Sequence, residues 1–540
     1  MIHRRFSDTA AIGLIVAYLG LLCFRYGSIP GGISNDAAQE VMTGYNAVWR
    51  DGFPVMAFDP HTNGVETLWV GIAGVLVAVL GHDTLAAVMS SWLAVVLMLV
   101  FLFLLARQHR KHLDPLIVVL VAMTLPWLFH YGRGALRGIS SATFMAASLA
   151  GLSCFLQNPR GWRGPLALGT PLALGIYAYT SSRIPPLAYA VVAIIHIATA
   201  PGRRRAWFVQ HLRTVIIATI VSIPNIIYAA ANPLLFFCRG AYNTPASPAD
   251  RIHHVADSLA VPLWYRNDLY NTIIKLRGEG LRWAFDAAAV VLPKAGISPV
   301  PIIIGLAALA GLILWRIRRR EYGQLHRVLL LAVLTYLAAA LLIGFMGPSL
   351  TRLTVMIPIV VLLASLPLTL LARKFGGAGR AGVILLLAIL LVQNTHDYFR
   401  LTPQTRWDCT SHAAMSAARV AARIAGQGNQ VLLIVSRDLN AARYYSFDHR
   451  RQITVSEFHQ RPFDPVELEP ATGQVDAIVV SLDPIGGPYH HAPQMREAAR
   501  YYSCRYKIAE TGEDPPYVVF ETGKPGRRPG SSPPGIPGGH

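Results

Sequence analysis

The chain has 540 residues, of which 53% are hydrophobic and only 14% charged, and its mean hydropathy is +0.41. Soluble domains carry about 25% charged residues, so an ordinary soluble enzyme is excluded. The net charge of +19 does not point to nucleic acid, because the basic residues lie between apolar runs and form no single stripe.

Repeated apolar runs of about 20 residues match a hydrocarbon core roughly 30 Å thick, which predicts a polytopic α-helical membrane protein. The first run covers 10–26 and follows Arg4 and Arg5. It reads as a retained signal anchor with the N-terminus in the cytoplasm. The polar stretch 31–69 should then lie outside, carrying Asp36, Glu40, Asp51, Asp59, His61 and Glu66. Further spans are expected at 85–106, 115–129, 139–156, 165–179, 185–200, 215–230, 300–315, 328–345, 353–371 and 381–392, eleven in all. The connectors 107–112, 158–164, 201–205, 316–327 and 372–380 each hold two or more Arg or Lys, as cytoplasmic connectors should. Parity holds only if 65–80 does not cross, so that segment is expected to lie along the outer interface or dip into it. The first outer loop thus covers 31–82, with interfacial helices.

The outer connectors contain Arg133, Arg137, Arg183, Arg239 and Arg352. Singly, each reads equally well as a snorkelling anchor. Several on one face suggest an anion site, since the guanidinium fork suits phosphate. Residues 232–298 form a long outer loop, a candidate lid or acceptor platform. Beyond 399 the hydropathy falls. A helix at 412–425, a strand at 430–435, a helix at 440–447, a strand at 475–482, a helix near 493–502 and strands near 504–508 and 517–521 predict a small α/β domain over 400–522. The tail 523–540 lacks core-forming residues and should be disordered. Cys23, Cys154 and Cys238 lie in or beside apolar spans and read as packing, whereas Cys409 and Cys504 form a candidate disulfide if their region is extracytoplasmic. No Walker, dinucleotide, HExxH or CxxC pattern occurs, so no metal site or cofactor follows from the sequence, with a divalent cation left open.

Six landmarks stand in order: SIPGGISNDAAQE, FDPHTNGVETLWV, PWLFHYGRGALRG, LGIYAYTSSRIPPL, IPNIIYAAANPLLFFCRG and GPSLTRLTVMIPIVVLLA. Together they make residues 10–399 resemble the membrane glycosyltransferases of the GT-C fold. The nearest group is the family 39-like proteins, which include protein mannosyltransferases and the lipid A aminoarabinose transferase. The resemblance implies a polyprenyl-phosphate sugar donor and an acceptor that is lipid, glycan or protein. It implies transfer on the outer face of the membrane; Arg in place of Lys suggests a bacterial cytoplasmic membrane, and eleven crossings from a cytoplasmic N-terminus put the C-terminal domain on the outer side. It also implies Asp36 as catalytic base, with Glu40 and Glu66 as further carboxylates. Arg133, Arg137, Arg183 and Arg352 become the candidates for the donor phosphate.

Two departures stand out. The family's acidic pair is here Asp36-Ala37, and its Gly-Arg-Glu-Pro is Gly64-Val65-Glu66-Thr67. Blander readings stand beside the functional ones. Asp36 suits a helix N-cap, Glu40 a solvent-facing position, and Tyr177 and Tyr179 an aromatic belt. A transporter or flippase of lipid-linked sugars and a non-catalytic scaffold remain the alternative functions.

Overall fold

The computed structural model describes residues 2–26, 35–49, 56–57, 65–82, 84–135, 137–158, 160–200, 202–232, 324–345, 353–401, 412–435, 439–457, 474–481, 501–503, 506–513 and 516–522, with 255, 468, 498 and 499. Arg239, Arg352, Cys238, Cys409, Cys504, the span at 300–315 and the tail lie outside the described residues, as does the loop at 232–298 apart from residues 232 and 255.

Helix α1 is Ile2–Cys23 and α2 is Asn35–Trp49. A two-residue ribbon pairs β1 (Met56–Ala57) antiparallel with β2 (Val65–Glu66) and leads into α3, Thr67–Leu80. Then come α4 (Thr84–Gln108), α5 (Pro115–Met123), α6 (Pro126–Arg133), α7 (Ile139–Gln157) and α8 (Arg163–Ile176). A 3-10 turn, Thr180–Arg183, precedes α9 (Ile184–Ala198), and α10 is Arg204–Ala231. Helices α11 (Leu325–Phe345), α12 (Ile357–Lys374) and α13 (Gly376–Leu401) complete the apolar set.

Among the described residues, seven helices are long and apolar enough to cross a membrane, or eight if α5 and α6 make one bent span. The bend of 66° falls at Pro126, which has no N–H to continue the ladder. Asp114 starts α5 by accepting from the Leu116 amide at 3.0 Å. The expected eleven is reduced because 165–179 gives only the 14-residue α8, because the apolar part of α1 is Ser7–Cys23, and because 300–315 is not described.

The side of each connector is decided by what its ends touch. At one end Arg110 and Arg107 pair with Asp8, and Arg380 pairs with Asp114 at 2.8 Å. Arg380 also donates to Ser7, and Arg373 to the carbonyls of Arg110 and Lys111. Ser153 meets His109 at 2.7 Å, and Gln324 donates to Leu156 O at 2.9 Å. The N-terminus and four of the Arg-rich connectors therefore share one end. Helix α3, with 14 residues, is shorter than the seven helices long enough to span, as is the apolar part of α1.

The contacts divide the chain into two compact units, one of Met1–Tyr26, Thr43–Leu76 and Val88–Gln404, the other of Gly27–Met42, Val77–Ala87 and Thr405–His540. The second contains a five-stranded mixed sheet of order β4-β3-β5-β7-β6. Strand β3 (Val431–Val435) runs parallel to β4 (Ile453–Glu457) and to β5 (Ala477–Ser481). Strand β7 (Pro516–Glu521) is antiparallel to β5 and to β6 (Lys507–Glu513). All five residues of β3 and of β5 are buried, as a strand covered on both faces requires. Leu432, Ile434, Ile478, Val480, Tyr502 and Phe520 form one core cluster. Helix α14, His412–Ala425, packs on β3 and β5, and α15, Leu439–Tyr445, follows β3.

Strand β4 is absent from the sequence-based expectation. It is a five-residue edge strand, ITVSE, whose half-polar composition gives no apolar run. The α3–α4 connector belongs to this unit. Thr84 Oγ1 lies 2.9 Å from Tyr445 Oη and accepts from Arg419 at 3.2 Å, while His82 Nδ1 lies 3.1 Å from Asp448.

Candidate active site

At the end of the helical unit opposite Asp8, the chain gathers a second set of connectors. The Leu68 amide donates to the Tyr177 carbonyl at 3.1 Å, fixing the start of α3 on the end of α8. Glu66 immediately precedes α3, as part of β2, with its backbone paired to Met56. Beyond Tyr177 the chain tightens into the turn Thr180–Arg183, because Pro185 and Pro186 cannot donate inside a helix and suit only its first turn.

Arg137 lies buried just before α7, and its guanidinium stands 5.2 Å above the Tyr179 ring. Thr354 donates to Gly138 O at 2.6 Å and lies 2.9 Å from Ser141 Oγ, bringing the start of α12 to the same corner. Arg183 is half-buried at the end of its turn. Beside it, the buried hydroxyls of Ser181 and Ser182 have no hydrogen-bond partner among the described residues. Buried polar groups are nearly always satisfied, so orphaned hydroxyls next to arginines mark a place for a polar ligand. Sequence reading passed over these serines. The only signal was their position between a span end and a Pro-Pro pair.

Arg133 has other company. It is 2% exposed, and Nη1 donates to the Leu21 carbonyl at 3.2 Å and also to that of Leu22. Its guanidinium carbon lies 5.1–5.7 Å from the rings of Phe129, Tyr398 and Phe399. Leu21 and Leu22 are in the last turn of α1, where carbonyls lack the regular helical bond and Leu21 O receives only the Phe24 amide at 3.3 Å, so Arg133 caps α1 within an aromatic cage.

Asp36 is the second residue of α2, a first-turn position where a carboxylate suits the helix dipole. Glu40 follows one turn later on the same helix. It is half-buried with Oε2 shielded from solvent, which departs from the solvent-facing reading. Helix α2 crosses α3 at bare backbone. A Cβ on Gly44 would fall 1.9 Å from the Val70 carbonyl oxygen, and one on Gly74 would fall 2.5 Å from Gly44 C. No other residue fits that crossing without moving a helix. Tyr177 and Tyr179 are occupied within the protein, Tyr177 donating to Val221 O at 2.7 Å and Tyr179 lying under Arg137. No group of three or more His, Cys, Asp or Glu able to hold a metal occurs among the described residues.

This architecture defines a polytopic membrane protein with the GT-C type of fold and a small C-terminal mixed sheet. In particular it is similar to ArnT from Cupriavidus metallidurans. The structure of that protein bound to undecaprenyl phosphate aligns over 95% of this chain and 98% of ArnT, with a TM-score of 0.58 at 12% identity. The apo form of the same protein gives 0.54 at 11% identity with the same coverage. The Archaeoglobus fulgidus oligosaccharyltransferase in complex with zinc and sulfate overlaps more loosely, with a TM-score of 0.46 at 12% identity over 83% of this chain and 64% of that one. No protein-family model and no curated protein sequence matches the chain.

Proposed function

We propose that the protein is a glycosyltransferase that moves a sugar from a polyprenyl-phosphate donor to a lipid, glycan or protein acceptor at the outer face of a bacterial cytoplasmic membrane. The observation that carries this reading is the fold shared over nearly the whole chain with a protein whose structure holds undecaprenyl phosphate. In this reading the chain crosses eleven times, the Asp8 end is cytoplasmic, and the C-terminal domain is extracytoplasmic. No resident cofactor is required, because the lipid-linked sugar is a substrate.

Asp36 takes the acceptor's proton as the new bond forms at the anomeric carbon, and the bond from that carbon to the phosphate oxygen breaks. The leaving lipid phosphate gathers charge, which cations placed beforehand stabilise. Arg137 and Arg183 are the arginines we assign to it, with Arg352 as a third and Arg133 as their frame. Glu40 and Glu66 are reserve carboxylates of the same loop.

The test is turnover of polyprenyl-phosphate sugars by lipid-reconstituted protein, followed as release of free polyprenyl phosphate, for wild type and Asp36→Asn. Turnover by wild type and none by the variant, with donor still bound, supports the assignment. Equal turnover removes Asp36 as base. Donor bound without turnover by wild type over a panel of sugars would make the protein a scaffold.

A further inference from the structure

At the end of the helical unit that carries Asp8, two neighbouring turns border an open cleft of about 620 Å³, a size typical of small-molecule sites. The α7–α8 turn contributes Arg160 and Gly161, and the α9–α10 turn contributes Gly202 and Arg203. One face of α10 completes it with Arg205, Val209 and Arg213 at four-residue spacing, beside Ala206 and Gln210. Gln210 and Arg213 tie the two turns together. The Gln210 amide bridges Gly161 O at 3.0 Å and Arg213 Nη1 at 3.1 Å, and the Arg213 guanidinium lies 4.9 Å above the Trp162 ring.

Four arginines therefore line the cleft, and among the described residues no carboxylate lines it. The segment that builds the cleft supplies none, since no Asp or Glu occurs between Asp114 and Asp250. The first turns of α8 and α10 open beside the same cleft, each without a side-chain cap, and add partial positive charge. Away from the cleft, α10 presents Phe208, Leu212, Val215 and Ile216, all exposed, and α8 exposes Leu166. The α10 residues stand on a helix long and apolar enough to span, where exposed apolar side chains suit hydrocarbon. The complementary ligand has phosphate at one end and acyl chains at the other.

We propose that this cleft is a binding site for the headgroup of an anionic phospholipid, whose chains lie along α10 and α8. The arginines act as bidentate phosphate forks and not only as diffuse positive charge. The site is independent of the proposed transfer chemistry, which lies at the other end of the helices.

The test compares two adjacent arginines that differ in the face they occupy. Arg205 lines the cleft, whereas Arg204 points its guanidinium to the Ala198 carbonyl at 3.2 Å. Wild type, Arg205→Gln and Arg204→Gln are reconstituted in phosphatidylcholine nanodiscs containing cardiolipin or phosphatidylglycerol, and retained anionic lipid is counted by native mass spectrometry. Arg205→Gln should retain about 5-fold less, and Arg204→Gln should match wild type. Both positions are exposed, and equal thermal melting of the three proteins checks folding. Equal loss in both variants would mean diffuse surface potential, and no loss in either would leave the cleft empty of lipid; each overturns the proposal. Displacement of the lipid by inorganic phosphate at millimolar concentration would overturn it in favour of a soluble phosphate site.

Discussion

Leu68 and Tyr177 are joined main chain to main chain, the amide of one donating to the carbonyl of the other across 3.1 Å. This bond attaches the segment after Glu66 to the end of α8. The turn that follows α8 carries Tyr179, Ser181, Ser182 and Arg183, and Tyr179 in turn lies against Arg137. Strand β2, two arginines and two buried hydroxyls without a partner among the described residues thereby share one corner of the helical unit, although more than a hundred residues of chain separate the first from the last.

If that corner holds the donor phosphate, Arg137 should matter for catalysis more than for folding. Arg137→Gln should lower polyprenyl phosphate release by about 10²-fold, as the loss of one preorganised charge donor does. The melting temperature should change little relative to that loss. A variant that binds and turns over donor as wild type does would remove Arg137 from the site.

Arg133 should behave in the opposite way. Its replacement by Met removes the side-chain donor from the Leu22 carbonyl, leaves the Leu21 carbonyl only the Phe24 amide, and takes the charge out of the cage of Phe129, Tyr398 and Phe399. The expected cost is about 2–3 kcal/mol of stability, read as a lower thermal midpoint in detergent. Donor affinity in the surviving folded fraction should stay near wild type.

The α2–α3 crossing has no room for a methyl group. Gly44→Ala and Gly74→Ala should each destabilise by about 1–3 kcal/mol through overpacking. Because α2 carries Asp36, a displacement of about 1 Å there should also cost roughly 10²-fold in turnover. Paired melting and turnover measurements check both effects, and full activity in Gly44→Ala would show that the crossing does not position the carboxylate.

The second unit should lose stability in acid. Burial holds the His82 imidazole below its ordinary pKa, and the Asp448 carboxylate only partly offsets this. His82 therefore stays neutral in the fold. Its contribution is complete above an unfolded-state pKa of about 6.5 and is lost as pH falls through the lower folded value. Glu510 acts in the same direction at lower pH: hydrogen bonding from Tyr517 and the Arg423 guanidinium hold its carboxyl below the usual range. Protection factors of the β3 and β5 amides, taken relative to the intrinsic exchange rate at each pH, should fall from pH 7.5 to 5, and His82→Gln should flatten the part between pH 7 and 5. Equal protection factors at both pH values would refute the role of His82.

Much of the helical unit was legible because its signals are local. Apolar length marks the long helices, and four of the arginine-rich connectors do gather at the end that carries Asp8. Strands β3 and β5 were visible as short apolar runs, whereas β4 escaped because an edge strand needs little apolar surface.

What the sequence alone determined, then, is the membrane class, the order of the spans, the polar first loop and the buried strands, each governed by burial of side chains within one segment. The tertiary structure alone decided which arginine caps a helix and which lies at the candidate site, since Arg133 and Arg137 are four residues apart and chemically identical. It also decided that two serines lie buried without a partner among the described residues, and that Thr84 and His82 join the unit of the C-terminal sheet. The physical reason is common to these cases: a charge or hydroxyl takes its role from the groups that replace its water, and those groups come from distant parts of the chain.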